Sequence, residues 1–361
     1  MPALTPSLPL TAELLPRLFL GDGSASISFD GLRHFALRTV QIVQETAAAP
    51  RCIGADPLAE AGCDCGGVPC PQGSAAREAG KEQFAALVRE NMWIPTAACV
   101  LYILFVFCGP KLVKQPQPVK PILSAWNLAM SIFSALGSYH CMGALAFNLY
   151  EHGFRYTVCQ LPKKIDMQGF DLDIWVCFFV LSKIAEFFDT VLKILLKRPF
   201  IFLHWYHHAM TAWLGWLSLA YDASAGQWYA GLNFTVHAPM YFYYFLSSIL
   251  DKDSFRCGHS TVLDLEFKNA DAELLTAYMC RGPTVRKYCR PIAPCITGIQ
   301  ILQMIAYVFV NTSVWMYYYS DDLNEPAEAT EPRDLADWTH DGRCHIQPVN
   351  LQVSAASGFF I

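Results

Sequence analysis

Lys183 to His208 reads K-I-A-E-F-F-D-T-V-L-K-I-L-L-K-R-P-F-I-F-L-H-W-Y-H-H, two apolar segments joined by the basic turn Lys197-Arg198-Pro199. On a helix, His204, His207 and His208 stand at i, i+3 and i+4, so three imidazoles share one face. Lys183, Glu186 and Thr190 share a face in the same way, and Asp189 lies between them in sequence. Ionisable groups are expensive inside apolar helices, so such a cluster marks a functional site by default. Two chemistries suit it. Neutral imidazoles on one face can bind iron or zinc. An imidazole can also act as a nucleophile for acyl transfer, with its neighbours as base and orienter. The bland alternative is a set of histidines at a membrane interface.

Counting separates the two chemistries. The chain has ten histidines, of which His34 lies in the N-terminal stretch and His152, His259, His340 and His345 fall in loops. Only His140 and His237 remain to join the triplet, too few for the several histidine boxes of a di-iron membrane oxygenase. No metal site is therefore expected, and acyl transfer is the stronger reading.

The elements that position these groups must be membrane helices. The chain of 361 residues is 53% hydrophobic and 14% aromatic but only 16% charged, too apolar for an ordinary soluble domain. A net charge of -5 and the lack of a basic arm argue against nucleic acid. Six apolar stretches qualify as candidate spans, at 92-108, 122-145, 174-195, 200-220, 228-250 and 293-318. Residues 351-361 begin another apolar stretch too short to span, which reads as the front half of a further helix. Residues 1-91 are rich in Ala, Gly, Pro and acid, and are expected to form a poorly structured tail. Its Cys52, Cys63, Cys65 and Cys70 fit zinc-ligand spacing poorly. The loops 109-121, 196-199 and 251-292 carry twelve Lys and Arg against five in the loops between them. Positive-inside asymmetry then places the Lys197 turn in the cytosol and the N-terminus across the membrane.

Two further polar stripes join the cluster. Asn233, His237, Met240, Tyr241 and Tyr244 recur along one face of the fifth span, and Thr297, Gln300 and Gln303 along one side of the sixth. Interhelical hydrogen bonding alone would explain one such stripe. Three stripes meeting one histidine cluster point to a lined cavity.

K-I-A-E-F-F-D-T, H-W-Y-H-H, N-F-T-V-H-A-P-M-Y-F-Y-Y and T-G-I-Q-I-L-Q match, in order, signature boxes of a known family. The chain resembles the ELO-type very-long-chain fatty acid elongases (3-ketoacyl-CoA synthases) of the endoplasmic reticulum from roughly residue 92 to 361. K-P-I-L-S-A-W-N-L-A-M-S-I-F-S, from Lys120, looks like that family's second-helix entry. The resemblance implies an all-α membrane protein of seven transmembrane helices, helices two to seven enclosing an acyl tunnel, here with the seventh truncated. It implies condensation of acyl-CoA with malonyl-CoA to 3-oxoacyl-CoA, CO2 and CoA, with no cofactor beyond these substrates. The expected partners are CoA thioesters, membrane lipid and the reductases and dehydratase of the elongation cycle, with homodimerisation open. On these residues, His207 is expected as nucleophile, and His204 and His208 as its orienting or proton-exchanging neighbours. His237 and Asn233 would polarise thioester carbonyls. Asp189 and Glu186 would hold histidine tautomers, while Lys183 would balance their charge or meet the malonyl carboxylate. Tyr241 and Tyr244 would line the substrate path, with Gln300 and Gln303 as orienting donors. The Trp205-Tyr206 form of the box resembles the branch acting on saturated and monounsaturated chains. The resemblance also implies a lumenal disulfide between Cys159 and Cys344. The alternative of another class is a catalytically impaired elongase-like protein that binds or carries lipid.

Overall fold

The computed structural model describes residues 28–48, 70–159, 170–199, 202–221, 223–250 and 291–323. These form an all-α bundle, and no strand occurs among the described residues. In chain order the helices are α1 (Phe29–Ala48), α2 (Cys70–Glu90), α3 (Trp93–Leu112), α4 (Lys120–Glu151) and α5 (Gly153–Cys159). Then follow α6 (Leu172–Ala185), α7 (Phe187–Leu195), α8 (Phe202–Ala220), α9 (Gly226–Leu250) and α10 (Ala293–Leu323). Three of them, Trp93–Leu112, Lys120–Glu151 and the Ala293–Ser320 part of α10, are long and apolar enough to cross a membrane by themselves.

The closest packing joins α4 to α9. A side chain at Gly137 would meet the Phe234 ring at 2.7 Å, and one at Gly231 would meet Met142 Sδ at 2.8 Å, so these glycines let the two backbones approach. Ser131 Oγ donates to the Ala238 carbonyl at 2.9 Å, and Ser124 and Ser248 pair at 2.7 Å. Small and hydroxylated residues hold this helix pair together, because apolar burial gives little drive between helices in lipid. The histidine-bearing helix α8 packs instead against α3, α6 and α2.

Two sequence expectations need correction. The stretch 174-195 is not one helix: it breaks at Glu186 between α6 and α7. There Asp189 N–H bonds back to the Glu186 carbonyl, a tighter turn than an α-helix makes. The tail expected to be poorly structured contains α1 and α2. In α1, Phe35, Thr39, Ile42 and Thr46 are buried at i, i+4, i+7 and i+11, and Phe35 stacks on Trp216 of α8 at 5.4 Å. In α2, Phe84, Leu87 and Val88 are buried, and Arg89 Nε donates to the Ala220 carbonyl at the end of α8. A cation there also suits the negative end of that helix. The acid- and glycine-rich average composition of the tail hid a helical period confined to about twenty residues.

The short helix α5 follows α4 directly and ends at Cys159. Cys159 is disulfide-bonded, and its expected partner Cys344 lies outside the described residues. Cys52, Cys63, Cys65 and the apolar stretch 351-361 also lie outside them.

The turn after α7 sets the geometry of the site. Lys197 adopts φ 54°, and its N–H bonds the Ile194 carbonyl while the Arg198 N–H bonds the Lys193 carbonyl. This is the left-handed helix terminator usually made with glycine, followed here by Pro199. Lys197 Nζ donates to the Pro110 carbonyl at 3.1 Å, fixing the turn against the end of α3. The chain reverses there, so α7 and the first turns of α8 lie side by side.

Candidate active site

Glu186, at the junction of α6 and α7, keeps helical dihedrals and buries its carboxylate with only 1% exposure. Lys183 Nζ, also 1% exposed, donates to Glu186 Oε1 at 2.6 Å and to Asn233 Oδ1 of α9 at 2.7 Å. Two histidines face the same carboxylate: Nδ1 of His208 is 3.7 Å from Oε2, and Nδ1 of His237 is 3.7 Å from Oε1. Both Glu186 Oε2 and His208 Nδ1 are buried without a hydrogen-bond partner. Groups set just beyond bonding distance are common in unliganded active sites, where contacts tighten only when substrate is bound. Glu186 thus lies near two histidines from two helices without hydrogen-bonding either.

Asp189 does something else. It accepts from Trp126 Nε1 of α4 at 2.6 Å and from the Tyr241 hydroxyl of α9 at 2.5 Å. Neither partner is a histidine, so Asp189 does not take the tautomer-holding position expected of it. With both oxygens bound by donors, Asp189 ties α4, α7 and α9 together beneath the cluster.

His204 is held from two sides. Its Nε2 pairs with Thr190 Oγ1 at 3.1 Å, and Thr190 in turn pairs with the Tyr102 hydroxyl of α3 at 2.8 Å. Lys193 Nζ lies 3.2 Å from Nδ1 and 3.3 Å from Nε2 of the same ring. The rings of His204 and His208 meet edge to face at 4.5 Å, and those of His207 and His208 at 5.7 Å. His207 is half-buried, and among the described residues its ring nitrogens make no hydrogen bond. His207, the residue expected to be the nucleophile, is the imidazole of the triplet with no ring hydrogen bond or ion pair among the described residues.

Tyr241 and Tyr244 meet edge to face at 6.3 Å, and Tyr241 meets His237 at 5.5 Å. The two glutamines sit apart from the histidines. Gln303 Nε2 donates to the Tyr307 hydroxyl at 2.6 Å, and Tyr307 donates to the Tyr229 carbonyl at 2.9 Å. Gln300 Nε2 lies 3.1 Å from Met240 Sδ. Gln300 thus reaches across to α9, while Gln303 bonds within α10 to Tyr307, which in turn ties α10 to α9. Among the described residues no three His, Cys, Asp or Glu side chains converge as metal ligands would.

Sequence reasoning passed over Tyr102, Trp126 and Lys193. Lys193 had a visible signal, since an ionisable residue at i+3 from Thr190 inside an apolar helix is costly. Tyr102 and Trp126 had none, because aromatic residues are ordinary in membrane helices.

Residues 87–263 match the family described as ELO: GNS1/SUR4. That range holds every histidine of the cluster, with Lys183, Glu186, Asp189 and Asn233, and stops short of Gln300 and Gln303. The chain is 34% identical over 230 residues to a Trypanosoma cruzi protein named very long chain fatty acid elongase 4, covering 63% of this chain and 68% of the relative. It is 34% identical over 263 residues to fatty acid elongase 3 of the same organism, covering 66% and 75%. A Trypanosoma brucei brucei fatty acid elongase 3 is 31% identical over 252 residues, covering 63% and 71%. Identity at this level across two thirds or more of a relative, with the cluster inside the matched range, makes this chain a member of the ELO (GNS1/SUR4) family.

Proposed function

We propose that the chain is the condensing enzyme of fatty acid elongation, a very-long-chain 3-oxoacyl-CoA synthase joining acyl-CoA to malonyl-CoA. One observation carries this reading most: an unbonded His207 imidazole beside a buried Lys183–Glu186–Asn233 network that reaches His208 and His237. His207 attacks the acyl thioester, the carbon–sulfur bond breaks, and CoA leaves with the electron pair. The acyl group then rests on a ring nitrogen, from which it is readily passed on. Malonyl-CoA loses CO2, and the electron pair of that bond becomes the enolate that attacks the acyl carbonyl. The new carbon–carbon bond releases the imidazole unchanged.

His208 and His237 exchange protons with CoA and substrate oxygens, and the shared Glu186 carboxylate keeps their Nδ1 positions aimed inward. The Asn233 side chain also hydrogen-bonds the Tyr307 hydroxyl, and its second amide N–H is left as a donor for a thioester oxygen. No step needs a metal or a further cofactor. The chain is placed in the endoplasmic reticulum membrane with the Lys197 turn cytosolic and the N-terminus lumenal, supported by the distribution of Lys and Arg among its loops. There its product would pass to the reductases and dehydratase of the cycle. Purified protein incubated with malonyl-CoA and labelled acyl-CoA tests the reading. A labelled 3-oxoacyl-CoA two carbons longer is the expected product; tight lipid binding without condensation would favour the carrier alternative.

A further inference from the structure

The site contains two lysines in very different states. Lys183 is paired: its ammonium is bound to a carboxylate and an amide oxygen and is sealed from solvent. It has no free charge to offer a substrate. Lys193 is half-buried, and its only hydrogen-bonding neighbour among the described residues is the His204 ring, at 3.2 and 3.3 Å. An ammonium carries three donors and no acceptor, so a ring nitrogen engages one donor at most on each side and leaves its charge uncompensated. The nearby carboxylate of Asp189 is already bound by Trp126 and Tyr241, and Arg198 at the turn adds a second positive charge. His207, His208 and His237 offer no anion. Among the described residues Lys193 has no carboxylate within ion-pairing distance, although a cation drawn into a helical bundle is costly without an anion.

We infer that Lys193 is the substrate-reading cation of this site, and that the anion it takes is the free carboxylate of malonyl-CoA. The inference rests on the condensation reading above. Of the two substrates, only the malonyl donor carries negative charge on its acyl part. The phosphates of either CoA are held away from the thioester by the whole pantetheine arm, whereas Lys193 touches the histidine that is one helical turn from His207. When CO2 leaves, the negative charge passes from the carboxylate to the thioester oxygen as an enolate. A cation already seated beside it meets that charge without reorganising. The carbon–carbon bond to CO2 breaks, its electron pair moves into the enolate, and no proton is required.

The comparison of malonyl-CoA with acetyl-CoA isolates the carboxylate, because the two share every other group. Calorimetry on the full-length protein in detergent gives both dissociation constants. Wild type is expected to prefer malonyl-CoA by about tenfold or more, Lys193→Arg to keep that preference, and Lys193→Met to lose it. If Lys193→Met does not fold, Lys193→Gln keeps length and polarity without charge, and the same outcomes apply. An equal weakening of both ligands would assign Lys193 to CoA phosphates and overturn the inference. Unchanged binding with slowed acyl loading would do so too, by making Lys193 only a positioner of His204. A wild type that binds malonyl-CoA selectively but never condenses would count against the proposed reaction and leave this assignment standing.

Discussion

Lys183 Nζ and Glu186 Oε1 lie 2.6 Å apart, both side chains 1% exposed, at the one break in the helix that carries them. Removing one member strands the other as an uncompensated buried charge, which typically costs about 3–5 kcal/mol. Lys183→Met should therefore lower the thermal midpoint in detergent sharply and abolish condensation. Adding Glu186→Gln should recover much of the stability but not the activity, since the neutral amide cannot align His208 and His237. A double variant as unstable as Lys183→Met would show that the pair is not the source of the loss.

Asp189 is a structural tie in this arrangement, engaged by Trp126 and Tyr241 from two other helices. Hydrogen bonds to a charged acceptor contribute about 1.5–3 kcal/mol each. Tyr241→Phe and Trp126→Phe should each destabilise the protein by that order. Because both act through one carboxylate, their combined effect in a double-mutant cycle should depart clearly from the sum. Simple additivity would mean that the two donors do not share Asp189.

Gln300 meets Met240 of α9, while Gln303 bonds Tyr307 within α10. Gln303→Leu should cost about 1 kcal/mol of stability through the loss of its bond to Tyr307. The KM values for both CoA thioesters should stay close to wild type. A several-fold rise in either KM with unchanged stability would restore the substrate-orienting role read from the sequence.

What was legible in the chain follows from the kind of signal involved. The histidine triplet, Lys183, Glu186 and Asn233 could be placed because helical spacing fixes which residues share a face. The membrane class followed from composition. The break at Glu186 could not be read, since K-I-A-E-F-F-D-T contains neither proline nor glycine and its period is unbroken. The partners of Asp189 were hidden for a different reason: a carboxylate among histidines and one among Trp and Tyr donors look alike until the helices are packed. Helix α1 was missed because the tail was judged on average composition, although Phe35, Thr39, Ile42 and Thr46 carry a helical period. The glutamine stripe was seen correctly as a stripe, and only packing shows that it faces Tyr307 and Met240.

The acyl-imidazole at His207 can be observed directly by intact mass spectrometry of protein exposed to acyl-CoA without malonyl-CoA. Wild type should gain the mass of one acyl group, located on the peptide containing His207 and discharged when malonyl-CoA is added. His207→Ala should fold, gain no acyl mass and form no 3-oxoacyl-CoA. A His207→Ala protein that still loads the acyl group or condenses at the wild-type rate would contradict the assignment of His207 as nucleophile.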